Sequence, residues 1–353
     1  MFLIGLGTAT PPRCYTQREC WDTLLRSRAF GKLAGQSQAL LRKVLLGNSG
    51  ITTRHLVLDP LSDAFLFDPN TLAERFARHA PALATEAAAR ALRSAGLTPA
   101  QVDGLVVSTC TGYLCPGLSS YVVERLGLNP TIRALDLVGH GCGAALPNLQ
   151  TAAAWLGAGQ CQRVVSICVE VCSAAFYLDD DPGVLVSACL FGDGAAAAVC
   201  GTTPGPGARG VEYVAGGGKL SPADRDHLRF ELRDGMLRNV LSKEAPALAA
   251  RLTAEVLAET LPRTNVPRQR LTGWILHPGG RNVLEALRDK LGLREDDLRW
   301  SAEVLQHFGN VSSASVLFAL ERALAGGARG GYWWMSSFGA GFSAYGALLR
   351  VEP

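Results

Sequence analysis

The sequence predicts an α/β fold made of two similar halves, each a mostly parallel or mixed sheet covered by helices. Three observations carry that expectation. Short apolar runs alternate with helical stretches along the whole 353-residue chain, the pattern of repeated β/α units. The order of motifs in the first part of the chain returns in the second. The spacing returns with it: aligned on the strands at Gly104 and Gly273, Ser108 to Cys142 spans 142 − 108 = 34 residues and His277 to Asn310 spans 310 − 277 = 33. Duplicated β/α halves gather strand ends and helix starts at one crevice, so Cys142, His277 and Asn310 are expected together.

Each element has a local reason. Residues 1–7 read as a first strand, ended by the turn Gly7-Thr8-Ala9-Thr10-Pro11-Pro12. They lack the basic flank of a secretory leader. Residues 17–47 read as helical, broken at Asn48-Ser49-Gly50, and Arg54 to Leu58 as a short strand. An alanine-rich helix over 71–95 stops at Gly96. The strand Val102 to Thr109 runs into Cys110-Thr111-Gly112-Tyr113-Leu114-Cys115-Pro116-Gly117. Ala134 to Val138 reads as a buried strand, meeting the turn Gly139-His140-Gly141-Cys142-Gly143 and a small-residue helix from Ala144 to Leu156. A strand from Arg163 to Val169, an acidic loop at 179–183 and Phe191-Gly192-Asp193-Gly194 complete the first half. The stretch 202–209, TTPGPGAR, is linker-like and divides the chain into 1–205 and 206–353. Then come a helix (245–261), a strand (273–276) ending at His277-Pro278-Gly279-Gly280, and Phe308-Gly309-Asn310 opening a helix over 312–324. Phe338-Gly339-Ala340-Gly341 opens the last strand, through Leu349.

Composition narrows the function. Hydrophobic residues make up 48% and charged ones 18%, enough to bury a large interior. Basic residues exceed acidic ones by 34 − 31 = 3 with no long basic run, which argues against nucleic acid as a partner. No apolar run approaches the roughly 20 residues of a membrane helix. Ten cysteines contain no C-x-x-C pair, so neither a zinc site nor a disulfide framework is indicated, and no metal or cofactor is called for. The expected setting is a reducing cytoplasm, with Cys168, Cys172, Cys189 and Cys200 as small core residues.

Glycines on both sides of Cys142 permit a sharp turn and close approach of another molecule. A thiol at a helix start sits in the positive end of the dipole, which favours thiolate. A buried, inert cysteine is the competing reading. A thiolate, an imidazole and a carboxamide suit acyl transfer. Cysteine takes the acyl group as a thioester. Neutral His277 and Asn310 can both donate to one developing oxyanion, as decarboxylation of a malonyl thioester requires. Taken singly, His277 would equally be a core histidine and Asn310 an ordinary helix cap.

Six motifs in order carry a family resemblance: Gly7-Thr8-Ala9-Thr10-Pro11, Gly141-Cys142, Leu190-Phe191-Gly192-Asp193-Gly194, His277-Pro278-Gly279-Gly280, Gly309-Asn310-Val311-Ser312-Ser313-Ala314 and Phe338-Gly339-Ala340-Gly341. The chain resembles the type III polyketide synthases, the chalcone and stilbene synthase family. The resemblance implies a duplicated thiolase-like fold in αβαβα layers, a homodimer, and direct use of malonyl-CoA and acyl-CoA without a carrier protein or cofactor. It implies Cys142 as acyl-carrying nucleophile, with His277 and Asn310 driving decarboxylation. Phe191 takes the gatekeeper position and Phe230 the second aromatic of the cavity. Cys110, Thr111, Ala175 and Ser312 line it, Gly279 and Gly280 admit pantetheine, and Cys115 replaces a methionine that reaches into the partner's cavity. Ala174 and Ala175 are small where the family often has threonine. The acidic loop at 179–183 is similar to bacterial enzymes making alkylresorcinols or alkylpyrones from long acyl-CoA starters. Val44 and Asn48 fall where the family places basic residues for the CoA phosphates, with Arg42, Lys43 and Arg54 nearby.

Two alternatives stay open on sequence. A ketoacyl synthase III-like enzyme shares Cys, His and Asn but not the His-Pro-Gly-Gly context. A cysteine hydrolase shares the order Cys, His, Asn and leaves the repeat unexplained. A biosynthetic thiolase would need a second cysteine near the C-terminus, and none follows Cys200.

Overall fold

The computed structural model describes residues 1–205 and 209–353. The centre of the linker-like stretch, and with it the far side of the 205/206 boundary, lies outside the described residues. Nine strands form the main sheet: β1 (Phe2–Ala9), β2 (Gly104–Ser108), β3 (Arg133–Leu137), β4 (Arg163–Glu170), β5 (Gly194–Gly201), β6 (Val211–Leu220), β7 (Leu271–Leu276), β8 (Gly331–Gly339) and β9 (Ser343–Val351). Their order across the sheet is β7-β8-β9-β6-β1-β5-β4-β2-β3.

The duplication is visible in this order. A two-pair seam, Phe2 with Glu212 and Leu3 with Val211, joins β1 to β6. Outward from it both halves show the same ladder: antiparallel, antiparallel, then parallel (β1-β5-β4-β2 and β6-β9-β8-β7). Only β2–β3, β2–β4 and β7–β8 are parallel, so of the two expected arrangements, mostly parallel or mixed, the sheet is the mixed one. The cause is local. After β4 the chain stays at one end of the sheet through residues 171–193 and re-enters there, pairing Glu170 with Gly194. A return at the same end forces antiparallel pairing, and only a crossover gives parallel strands.

Five helices complete the layers: α1 (Pro69–Ala95), α2 (Ala145–Gly157), α3 (Ala245–Thr260), α4 (Arg281–Leu291) and α5 (Ser315–Ala325). Alternate residues of β5 point opposite ways: Ala196, Ala198 and Cys200 toward a cluster with α2 and α5, Ala195, Ala197 and Val199 toward α1. In β9, Tyr345, Ala347 and Leu349 join the central cluster, whereas Ala344 and Leu348 face α3 and α4. Helix, sheet, helix, sheet, helix is the αβαβα order. A strand covered on both faces explains the unbroken alanine run of β5.

Two local readings change. The stretch 17–47 is two helices, Gln17–Leu25 and Gly35–Leu46, the first opened by a capping box of Thr16 and Glu19. The strand expected to be buried at 134–138 is the outermost one, paired on one side only, and leaves Leu135 and Val138 exposed.

Candidate active site

Cys142 sits in a single 3₁₀ turn, Gly141–Gly143, between β3 and α2. Gly141 has φ +54° and its neighbour across the turn is the backbone of Ala340. A side chain here would need both a left-handed backbone and space that is already filled. Ser337 fixes the turn by donating from Oγ to the Gly143 carbonyl at 2.9 Å.

His277 follows β7 and Asn310 precedes α5, the counterpart of the cysteine turn in the second half. Cys142, His277 and Asn310 line one open chamber of about 1830 Å³. His277 is buried, its ring edge-on to Phe338 with centroids 4.9 Å apart. Neither ring nitrogen has a hydrogen-bond partner among the described residues. Burial pulls its pKa down to about 3, so the imidazole is neutral at working pH: one N–H donor and one lone pair, both unspent. The Asn310 amide is oriented at both ends. Its Oδ1 accepts from Ser312 N at 2.8 Å and its Nδ2 donates to the Gly279 carbonyl at 3.2 Å, which leaves the second N–H of Nδ2.

The thiol does not behave as expected. Burial pushes Cys142 up to about 12, with a hydrogen bond from Ser312 acting in the other direction. Removing a charged sulfur from water outweighs the dipole of a short turn. Ser312 Oγ stands 3.3 Å from each of Cys142 Sγ, Cys110 Sγ and Glu170 Oε1. Ser312 is held at φ +47°, a conformation uncommon outside glycine and concentrated at working sites. Glu170, at the end of β4, is fully buried. It accepts from Thr111 Oγ1 at 2.9 Å, from Cys110 N at 3.1 Å and from Ser313 Oγ. Burial pushes its carboxyl up and these hydrogen bonds pull it back. Sequence reasoning missed Glu170. Its one signal was a lone acid ending an otherwise apolar strand at the catalytic end of the sheet.

The chalcone and stilbene synthase N-terminal domain matches residues 1–204 of this chain, and the C-terminal domain of the same family matches residues 214–351. The chain belongs to the chalcone and stilbene synthase family. It is a type III polyketide synthase, an acyltransferase that condenses malonyl-CoA decarboxylatively. A 3,5-dihydroxyphenylacetyl-CoA synthase of Streptomyces toyocaensis is 31% identical over 360 residues, covering 99% of this chain and 89% of its own. The alpha-pyrone synthesis polyketide synthase-like Pks18 of Mycobacterium tuberculosis is 31% identical over 331 residues, covering 90% and 82%. The crystal structure of 1,3,6,8-tetrahydroxynaphthalene synthase from Streptomyces coelicolor superposes with a TM-score of 0.90 at 25% identity, covering both chains fully. PKS-I of the brown alga Ectocarpus siliculosus gives 0.89 at 26%, covering 99% and 97%. The thiolase-like fold of these neighbours is the fold of this chain. The carrier-dependent condensing enzyme and the hydrolase are not favoured.

Within this polyketide synthase an inner chamber of about 620 Å³ opens off the outer one. Cys142 and Phe191 line both. Cys110, Thr111, Ala175, Phe230 and Ser312 line the inner chamber, and Gly279 and Gly280 the outer one. Phe230 arrives on a hairpin, Leu228–Arg233 with Met236–Leu241, whose Asn239 also lines both chambers. Asp193 anchors the Phe191 turn: it is buried and accepts from Val57 N and Ser173 N, each at 2.8 Å.

Two expectations are corrected here. Ala174 packs into the α1 core, so only Ala175 widens the chamber. Arg54 is no phosphate ligand. It is buried, donating to the carbonyls of Ala188 and Phe191 at 2.8 Å each and to Gln17 Oε1 at 3.1 Å. Cys115 lies exposed and lines neither chamber of its own chain. The outer mouth carries Lys43, Lys243 and Arg281, all exposed, beside Val44 and Asn48. No helix among the described residues is long and apolar enough to cross a membrane.

Proposed function

We propose that Cys142 carries the acyl chain and that His277 and Asn310 are the decarboxylation pair. One observation carries this reading: a neutral, buried imidazole with both nitrogens unspent shares a chamber with the thiol and the amide. Loading exchanges thioesters. The Cys142 sulfur attacks the acyl carbonyl, its proton passes to the free nitrogen of His277, and CoA leaves as thiol with that proton. Malonyl-CoA then places its thioester oxygen between the His277 N–H and the second N–H of Asn310. As CO₂ departs, negative charge gathers on that oxygen, where two neutral donors in a dry site stabilise it most. The enolate carbon attacks the Cys142 thioester, the chain moves to CoA, and the sulfur is free again. Repetition and cyclisation give an aromatic or pyrone product. These steps call for no metal or cofactor; the CoA thioesters are substrates.

Lys43, Lys243 and Arg281 would hold the CoA phosphates at the mouth, supported by their place on the outer rim. The exposed edge strand β3, with Leu135, Val138 and the loop residue Tyr113, supports a homodimer in which Cys115 meets the partner. The setting is the cytoplasm, and nucleic acid is not a partner.

The test is intact-mass detection of acyl-enzyme with acyl-CoA, together with CO₂ release from malonyl-CoA. Cys142→Ala should lose the adduct, and His277→Ala and Asn310→Ala should each lower CO₂ release about 10²–10³-fold. Undiminished labelling of Cys142→Ala, or unchanged CO₂ release in both other variants, overturns the assignment.

A further inference from the structure

The inner and outer chambers meet at Cys142, Phe191, Leu228 and Asn239, which line both. Beside the thiol, Asn239 brings the only polar side chain to this junction. It stands on the second strand of the hairpin, directly opposite Phe230, so both side chains leave the same face. Leu241, Ser242 and Lys243 continue that wall along the outer chamber, which makes Asn239 its inward end.

The orientation of the Asn239 amide is fixed by its neighbours. Ser187 Oγ donates to the Gly183 carbonyl at 2.7 Å. A carbonyl can only accept, so the one hydroxyl proton is used there. Asn239 Nδ2 therefore donates to Ser187 Oγ, at 2.7 Å, and Oδ1 points away from it. This is the side chain's one hydrogen bond among the described residues. Oδ1 and the second N–H are unspent, although Asn239 is buried. Other polar groups of the inner chamber are committed elsewhere: Thr111 and Ser312 to Glu170, Arg229 to Asp226 and Glu231. A buried amide of this kind discriminates against any ligand that leaves it unpaired.

We propose that Asn239 is a positioning residue that recognises the β-keto oxygen of the chain on Cys142. The proposal rests on the reading that Cys142 carries that chain. His277 and Asn310 line only the outer chamber, so carbons beyond the Cys142 thioester pass Asn239 on their way inward. Each condensation leaves a ketone next but one to the thioester carbonyl. The second N–H of Asn239 donates to that ketone; in the enol form the enol O–H donates to Oδ1. A saturated acyl starter offers neither group. Asn239 thus tells an extended chain from an unextended one, and it holds the extended chain for the next condensation. A pantetheine amide presents the same donor and acceptor, but it is common to every CoA thioester.

The test follows loading of Cys142 by intact mass, without malonyl-CoA, from a saturated acyl-CoA and from its β-keto analogue. Both have the chain length that the wild type loads fastest. The quantity read is the ratio of the two second-order loading rates, β-keto to saturated, which cancels any general loss of folded enzyme. Asn239→Leu should lower that ratio about three- to tenfold, the loss of one neutral hydrogen bond. Ser187→Ala keeps the amide but frees it to turn, and should lower the ratio by a smaller factor. With malonyl-CoA present, Asn239→Leu should shift products toward fewer extensions. With carbon-13 at the ketone, the infrared band of the trapped acyl-enzyme should lie lower in the wild type than in Asn239→Leu. An unchanged ratio in Asn239→Leu, or a ketone band at the wild-type position in that variant, overturns the proposal. An equal fall for both thioesters, as expected if the amide holds pantetheine, overturns it as well. A wild-type enzyme that loads Cys142 from no acyl-CoA defeats the reading beneath it.

Discussion

Replacing Ser312 should separate two jobs done by one residue. Its hydroxyl lies 3.3 Å from the Cys142 sulfur, and its backbone is held at φ +47°. The hydrogen bond favours the thiolate, against the burial that raises the thiol to about 12. A hydrogen bond to a charged partner is worth about 1.5–3 kcal/mol, and one pKa unit corresponds to about 1.4 kcal/mol. Loss of the hydroxyl should therefore raise the thiol by about one to two units. At pH 8 the thiolate fraction falls in proportion, so alkylation by iodoacetamide should slow about 10- to 100-fold. The assay is peptide-level mass spectrometry of the Cys142 peptide against time, which sets aside the exposed Cys14 and Cys115. Ser312→Ala and Ser312→Gly should slow equally, because both lose the oxygen. Only Ser312→Gly relieves the left-handed backbone, so it should melt at the higher temperature of the two. Glu170→Gln should move reactivity the other way, since the carboxylate raises the Cys142 pKa through its charge. Wild-type alkylation rates at pH 8 in both Ser312 variants would refute the argument.

Other outcomes follow from the same geometry. His277 has its folded pKa pulled to about 3 from 6.5, so the unfolded chain binds the extra proton on acidification. Stability from this group is complete above the unfolded pKa and should fall by about 2 kcal/mol between pH 7 and pH 5. Urea unfolding should show that loss in the wild type and not in His277→Gln. Lys43→Ala with Lys243→Ala should raise KM for malonyl-CoA and flatten its dependence on salt, measured from 50 to 500 mM, with kcat little changed. Arg238, largely buried, ties the Phe230 hairpin to Asp179 and Asp181 at 3.0 Å each and joins its two strands through Glu231 at 3.1 Å. Arg238→Met should lower Tm by about one to a few degrees, because the carboxylates it leaves unpaired are partly solvated, and should broaden the product profile read by mass. Gly339→Ala and Gly192→Ala should each lower turnover at least about 10²-fold while the sheet signal in circular dichroism persists.

The chemistry was legible where motif and backbone coincide. Gly141-Cys142-Gly143, His277-Pro278-Gly279-Gly280 and Gly309-Asn310 mark strand ends and helix starts, and those junctions meet at one chamber. What stayed hidden depends on three-dimensional context. Ala174 and Ala175 are neighbours in one 3₁₀ turn that faces core and chamber by turns. Arg54 looks like any basic residue near a mouth until its carbonyl partners are seen. The sign of the Cys142 shift depended on what covers the sulfur, which no local pattern records. Which strands run antiparallel was not legible, because β/α alternation resembles crossover, whereas residues 171–193 turn back at the same end.

The duplication makes each half a brace for the other half's part of the proposed site. Cys142 and Asn310 hold equivalent places in the two halves, and so do the turns that begin at Phe191 and Phe338. Each of those turns braces the other half. Gly192 donates from its backbone to the Asn310 carbonyl at 3.0 Å, and Asn310 N donates to Leu190 at 2.9 Å. A Cβ on Gly192 would strike the Phe308 carbonyl, two residues before Asn310. A Cβ on Gly339 would strike the His140 carbonyl, two residues before Cys142. The Cys142 turn is thus seated by the second half and Asn310 by the first. Relative placement of sulfur and amide is then fixed by backbone packed on backbone, which is stiffer than any side-chain contact. Glycine is required at 192 and 339 for the room it leaves, and the same pseudo-symmetry that pairs the sheets sets the geometry of the reacting groups.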